Sequence, residues 1–195
     1  MKKLLIALAA VALIAPQTTN AQDMELEEPY FYQNVLSISP FHFFDQTFML
    51  SYERLFLNEQ SIAIFAGLTL EENNDQERIG FTGEFQYRFY VVSKLGYNAN
   101  TTFKGVYVAP YARGRSLTIY REEANGRQGY LIQNFGSGAV LGFRVAKNNR
   151  FFMDTFIGGG VKFADDGDFP DASNIWQPTY TGVTPHAGFL IGVSF

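Results

Sequence analysis

The chain has 195 residues, a formal net charge of −4, 47% hydrophobic and 16% aromatic side chains, and no Cys. The missing Cys excludes disulfide scaffolds, thiol chemistry and an N-terminal lipid-modified Cys, and an acidic chain with no basic stripe argues against a nucleic-acid partner. Only 17% of residues are charged, yet mean hydropathy is close to zero, and beyond residue 15 no apolar run approaches the ~18 residues of a membrane helix.

The first segment reads as an address. Met1-Lys2-Lys3 is basic, Leu4 to Ala15 is apolar, and a polar stretch ends in Thr19-Asn20-Ala21. That order of basic, apolar and small residues predicts a secretory signal peptide over 1–21, cut after Ala21. Residues 22–33 then form an acidic periplasmic segment, and 34–195 form the folded domain.

From residue 34 onward the hydrophobic pattern has period two. Ile79, Phe81, Gly83, Phe85, Tyr87 and Phe89 alternate with Gly80, Thr82, Glu84, Gln86, Arg88 and Tyr90. Successive side chains of a strand point to opposite faces, so this is half-buried β structure. The same reading predicts strands at about 34–43, 47–56, 61–71, 79–90, 105–120, 130–145, 151–163 and 184–195. Most have at least the ~9–11 residues with which a tilted strand crosses a bilayer. Tight turns are expected at Asn58-Glu59 and Lys147-Asn148-Asn149, and long polar connections at 72–78, 121–129 and 164–183. Two joints break the short–long alternation: Asp45-Gln46 is too short and 91–104 too long.

Alternation alone does not say which face is out. One face carries Glu53, Glu84, Arg88, Arg113, Arg115, Arg144, Asp154 and Lys162 among small residues, as a packed ionic lumen would. Aromatics gather toward two strand-end levels, Phe56, Tyr87, Phe89, Tyr90, Phe143, Phe151 and Phe195 at one, Phe41, Phe43, Phe44, Phe48, Phe81, Tyr120, Tyr130 and Phe163 at the other. Two belts of amphipathic rings suit the two interfaces of a membrane. Phe195 closes the last alternating strand, like the C-terminal assembly signal of outer-membrane barrels. These features predict an all-β, closed antiparallel transmembrane β-barrel of about eight strands in an up-and-down meander. Pro110 lacks a ladder donor in mid-strand, so a bulge or an interrupted ladder is expected there.

The segment Leu50-Ser51-Tyr52-Glu53-Arg54 leading to Asn58-Glu59, the run Tyr87-Arg88-Phe89-Tyr90, and Gly105-Val106-Tyr107-Val108-Ala109-Pro110-Tyr111-Ala112-Arg113 resemble a family of small Gram-negative outer-membrane proteins of unknown function. That family is similar in architecture to the OmpA-like eight-stranded barrels, and the resemblance covers residues 33–195. It implies an architecture and a place in the cell outer membrane, with lipids, lipopolysaccharide and the barrel assembly machinery as partners. It implies no activity.

Candidate chemistry is sparse. An eight-stranded barrel has an interior just filled by side chains, so the eight lumenal charges are expected to form a salt-bridge network. A gated narrow pore, in which Glu84 and Arg113 switch partners, is the competing reading. Only His42 and His186 exist, so a multi-His metal site is impossible. Parity places His42 outward near the outer rim, and Ser39 and Asp45 near it in sequence keep a lipid A-modifying acyl hydrolase in view. Asp165-Asp166-Gly167-Asp168 is rich in oxygen donors but lacks EF-hand spacing, and Trp176 sits in the same connection. Gly158-Gly159-Gly160 is expected to make room for bulky lumenal neighbours. The expectation is a non-enzymatic protein of structural or adhesive role, without cofactor or metal, presenting loops 72–78, 121–129 and 164–183 to an extracellular ligand.

Overall fold

The computed structural model describes residues 33–40, 42, 46–57, 59–73, 76–91, 105–123, 126–147, 150–165 and 179–195. The signal peptide, nearly all of the acidic segment, Phe41, Phe43 to Asp45, and Asp166 to Trp176 lie outside the described residues. Eight strands follow one another: β1 (Asn34–Ile38), β2 (Thr47–Leu57), β3 (Gln60–Asn73), β4 (Gln76–Tyr90), β5 (Gly105–Glu123), β6 (Gly126–Lys147), β7 (Phe151–Asp165) and β8 (Gly182–Ser194). Among the described residues there is no α-helix. Each strand pairs antiparallel with the next, and β8 pairs with β1, so the meander closes into a ring. Phe195 sits at that seam, its N–H donating to the Asn34 carbonyl at 2.9 Å and its carbonyl accepting from Asn34 N–H at 3.2 Å. Closure leaves no strand with an unpaired edge.

The register sets the size of the ring. Ser37, Ser51, Phe65, Glu84, Arg113, Gly136, Lys162 and Gly182 are directly opposed in turn. Extending the β8–β1 register from Gly182 returns to the first strand about ten residues from Ser37. With ~3.3 Å per residue and ~4.8 Å between strands, that stagger tilts the strands by ~40° and gives a radius of ~8 Å. A ring this narrow is filled by its own side chains.

Period two decides what fills it. Inward positions include Val35, Met49, Phe65, Tyr107, Val140, Phe152, Phe156 and Leu190 together with buried Glu53, Glu84, Gln86, Arg88, Arg144 and Asp154. Outward positions are apolar and exposed, among them Ile64, Leu68, Phe81, Phe85, Leu131, Phe135, Leu141, Ile157 and Val183. From Ile79 to Phe89 on β4 and from Leu131 to Val145 on β6 no outward residue is charged. Large side chains fit inside because glycines face them. A Cβ at Gly142 would enter the Tyr107 ring, and one at Gly188 the Phe156 ring. The run Gly158-Gly159-Gly160 differs from expectation: the nearest atoms to an added Cβ are the backbone carbonyls of Ala139, Thr184 and Ser137, so these glycines allow a close approach of neighbouring strands, and Gly160 also faces the Tyr111 hydroxyl.

Several boundaries differ from the sequence reading. β1 stops at Ile38 rather than near residue 43, because Pro40 cannot donate to a ladder. The connection before Thr47 is therefore not short, which removes one of the two irregular joints. The expected loops 72–78 and 121–129 belong mostly to strands: β3 and β4 pair as far as Asn73↔Gln76, and β5 and β6 as far as Glu123↔Gly126. Charged cross-strand partners hold these polar hairpins, with Arg78 donating to Glu71 at 3.1 Å and Arg127 to Glu77. The connection within 164–183 does separate β7 from β8. Tyr90, assigned to an aromatic belt, points inward and is buried. At Pro110 the β4–β5 ladder pairs Gln86↔Tyr111 and Phe89↔Val108 but skips the positions between, while β5–β6 runs unbroken through Pro110↔Ala139. The register on either side is unchanged, so the ladder is interrupted without a bulge.

Candidate functional site

The most elaborate chemistry lies inside the ring. Glu53 on β2, Arg88 on β4, Arg144 on β6 and Asp154 on β7 come from four different strands, Arg144 and Asp154 being directly opposed, and each is at most 2% exposed. Arg88 Nη1 donates to Glu53 Oε2 and to Asp154 Oδ2, both at 2.8 Å. Arg144 Nη2 donates to the same two oxygens at 2.6 and 2.5 Å. The two carboxylates are thus bridged twice. Their remaining oxygens are also used: Glu53 Oε1 accepts from Ser61 Oγ at 2.5 Å and from Tyr90 OH at 2.8 Å, and Asp154 Oδ1 from Tyr107 OH at 2.8 Å. The guanidinium faces stack on rings, Arg88 over Tyr107 and Arg144 over Phe152, each 4.6 Å from the centroid. Two cations and two anions therefore balance in a layer that reaches across the ring.

A second group continues from this layer toward the β3–β4 hairpin end, hereafter the mouth. Arg88 Nε donates to Gln86 Oε1 at 2.9 Å, and Gln86 Nε2 donates to Glu84 Oε1 at 2.6 Å. His186 Nε2 lies 3.0 Å from the same Glu84 oxygen, and its ring packs on Tyr111 and Phe156. Arg113 Nε is 3.9 Å from Glu84 Oε2. Arg115 donates to Thr69 Oγ1 at 3.3 Å, and Lys162 Nζ sits 5.7 Å from the Tyr180 ring centroid. All eight charges singled out from the sequence line the ring, but they form two groups. Glu53, Arg88, Arg144 and Asp154 interlock, whereas Glu84, Arg113, Arg115 and Lys162 lie nearer the mouth and are more loosely arranged.

The sequence reading missed the uncharged members: Ser61, Gln86, Tyr90 and Tyr107, and His186 as the partner of Glu84. Parity puts all of them on the inward face, but which of them touch depends on the strand register.

His42 departs from expectation. It is buried rather than outward, and its Nδ1 is 2.7 Å from Ser39 Oγ. Ser39 is itself fully buried and donates its hydroxyl proton to the Phe189 carbonyl at 2.9 Å. With that proton committed, Ser39 accepts from His42, the reverse of the polarity by which a base activates a nucleophile. The pair clasps the end of β1 to β8. Parity failed because β1 ends before His42.

On the outward face an open groove of about 660 Å³ runs over Gly83 and Gly114, flanked by Phe81, Phe135 and Phe163. Among the described residues no three His, Asp or Glu side chains are grouped to hold a metal ion. No family model, curated protein or solved structure matches the chain.

Proposed function

We propose that this chain is an integral outer-membrane β-barrel whose lumen is sealed by the Glu53–Arg88–Arg144–Asp154 layer. Its role is structural or surface-directed, without catalysis or conduction. The observation that carries this reading is the inversion of polarity: four ionised side chains are buried inside while large apolar side chains face outward on every strand. A soluble ring would expose little contiguous apolar surface. The outward apolar run Ile79 to Phe89 spans ~33 Å along its strand, or ~25 Å once tilted by ~40°, the height of a barrel's lipid-facing band. Phe56, Phe89, Phe143, Phe151 and Phe195, all exposed, supply the periplasmic belt at the end of the ring that holds both strand termini. The resemblance to small OmpA-like barrels of unknown function agrees with this architecture, and it brings lipopolysaccharide and the assembly machinery as partners.

A pore is disfavoured because both arginines of the sealing layer are buried, held by Glu53 and Asp154 and stacked on Tyr107 and Phe152. A lipid A hydrolase built on Ser39 and His42 is disfavoured because the serine is inaccessible and its proton is spent on a carbonyl. Fractionation of the producing cell, with unheated and boiled samples compared on a denaturing gel, tests the membrane reading. Recovery with the outer membrane and a heat-dependent mobility are expected, and a soluble protein of unchanged mobility would reject it. Mass spectra of lipid A from a deletion strain test the absence of catalysis: an altered acyl pattern would revive the enzyme.

A further inference from the structure

Charge is unevenly distributed along the interior. The sealing layer is neutral, and near the rim Glu71 and Arg78 pair at 3.1 Å. Between them, among the described residues, one carboxylate, Glu84, shares its level with three cations, Arg113, Arg115 and Lys162. The register brings these together. Arg113, Gly136 and Lys162 are directly opposed in sequence across β5, β6 and β7, and Thr82 is directly opposite Arg115.

Gly136 therefore stands between two inward cations. The nearest atoms to a Cβ there would be the Val161 carbonyl and the Lys162 backbone and Cβ, so the glycine leaves a bay beside the Lys162 stem. Arg113 and Lys162 rise from backbones two strand spacings apart, ~10 Å, a gap that two long cationic side chains close around one small anion. The charges of Arg113 and Arg115 both act on Lys162. The second observation is Thr82. Its hydroxyl is buried at 1% exposure beside Arg115, and its Oγ1 makes no hydrogen bond to any described protein group. A buried polar atom without a partner is costly, and so is a concentration of like charge in a narrow space.

We infer that the mouthward half of the ring is a binding site for a phosphate group, held between Arg113 and Lys162 over Gly136 with Arg115 and the Thr82 hydroxyl as further donors. Guanidinium forks match tetrahedral oxyanions in two-point contacts, Lys162 adds a point charge, and the glycine provides room. The site lies in the interior and does not depend on whether the ring is in a membrane. Inorganic phosphate and a lipid-borne phosphate share this chemistry.

The full-length protein, folded in a phosphate-free sugar detergent, is titrated with inorganic phosphate by calorimetry, and backbone amide resonances locate the ligand. A parallel titration uses phosphorylated lipid A. Saturable binding of inorganic phosphate, with shifts at Arg113, Arg115, Gly136 and Lys162, is expected; binding of lipid A alone with the same shifts would assign the site to a lipid phosphate. Arg113→Gln and Lys162→Gln should each weaken affinity about ten- to a hundredfold, the worth of one charge-assisted hydrogen bond. Gly136→Val keeps every charge and should block the bay, whereas Arg78→Gln at the rim should bind as the wild type does. Absence of saturable binding for both ligands, shifts confined to other residues, or wild-type affinity in Arg113→Gln and Lys162→Gln would overturn the site. The wild-type resonance map decides the matter alone if a variant does not fold.

Discussion

Replacing Arg144 by Met probes the sealing layer most sharply. The change keeps an apolar stem but removes the guanidinium, with its contacts at 2.6 Å to Glu53 and 2.5 Å to Asp154 and its stacking on Phe152. Two buried carboxylates would then share one guanidinium, Arg88, and the layer would carry a net negative charge. Breaking a buried ion pair by deleting one partner costs about 3–5 kcal/mol, and the Tyr90 and Tyr107 hydroxyls can only partly stand in as donors. The full cost is expected here, because Arg144 serves both acids and water has little access. Urea unfolding in detergent or lipid vesicles, followed by far-ultraviolet circular dichroism and gel mobility, measures it. The double variant Glu53→Gln/Arg144→Met restores neutrality, leaving Arg88 with Asp154, and should recover at least ~1 kcal/mol relative to the sum of the single changes. An Arg144→Met protein within ~1 kcal/mol of wild type, or additive single effects, would refute an interlocked layer.

Three further outcomes follow from the same geometry. Gly142→Val drives a branched side chain into the Tyr107 ring and through it displaces the donor to Asp154, so unheated samples should lose the mobility of the folded form. Phe85→Arg, in the middle of the outward band, should cost about 2–4 kcal/mol in lipid vesicles; a neutral effect would indicate that this face meets water. Pro110→Ala supplies the missing N–H where the β4–β5 ladder is interrupted, so hydrogen exchange should show a protected amide at position 110, and an amide exchanging like an exposed one would show that the interruption has another cause.

The alternation of Ile79 to Tyr90 made β4 and its inward face legible from residue types alone, and parity placed the eight charges from Glu53 to Lys162 on the inner surface but missed Glu71 and Arg78 near the rim. Contacts were less accessible, because Glu53 and Arg144 are 91 residues apart and meet only through the stagger of the five strands from β2 to β6. Where the reading erred, local chemistry outweighed the pattern. Pro40 ended β1 early and turned His42 inward to Ser39. The polar residues of 72–78 and 121–129 resembled loops, yet Glu71–Arg78, Glu77–Arg127 and the Arg127–Tyr120 stacking carry the hairpins beyond the apolar band. Polar composition here marks the edge of the outward apolar band rather than the end of a strand.

The central claim concerns which face of the ring meets lipid, and the absence of Cys gives a clean background for testing it. Single Cys substitutions along β7, at Met153, Thr155, Ile157 and Val161 on the outward face and at Phe156 and Lys162 on the inward face, are spin-labelled in the protein folded into lipid vesicles. Collisions with lipid-soluble oxygen and with a water-soluble nickel chelate are then compared. The account predicts a period-two alternation, with outward labels relaxed by oxygen and shielded from nickel, and inward labels showing little contact with lipid. Outward labels freely reached by nickel at every depth would place this face in water and contradict the membrane barrel.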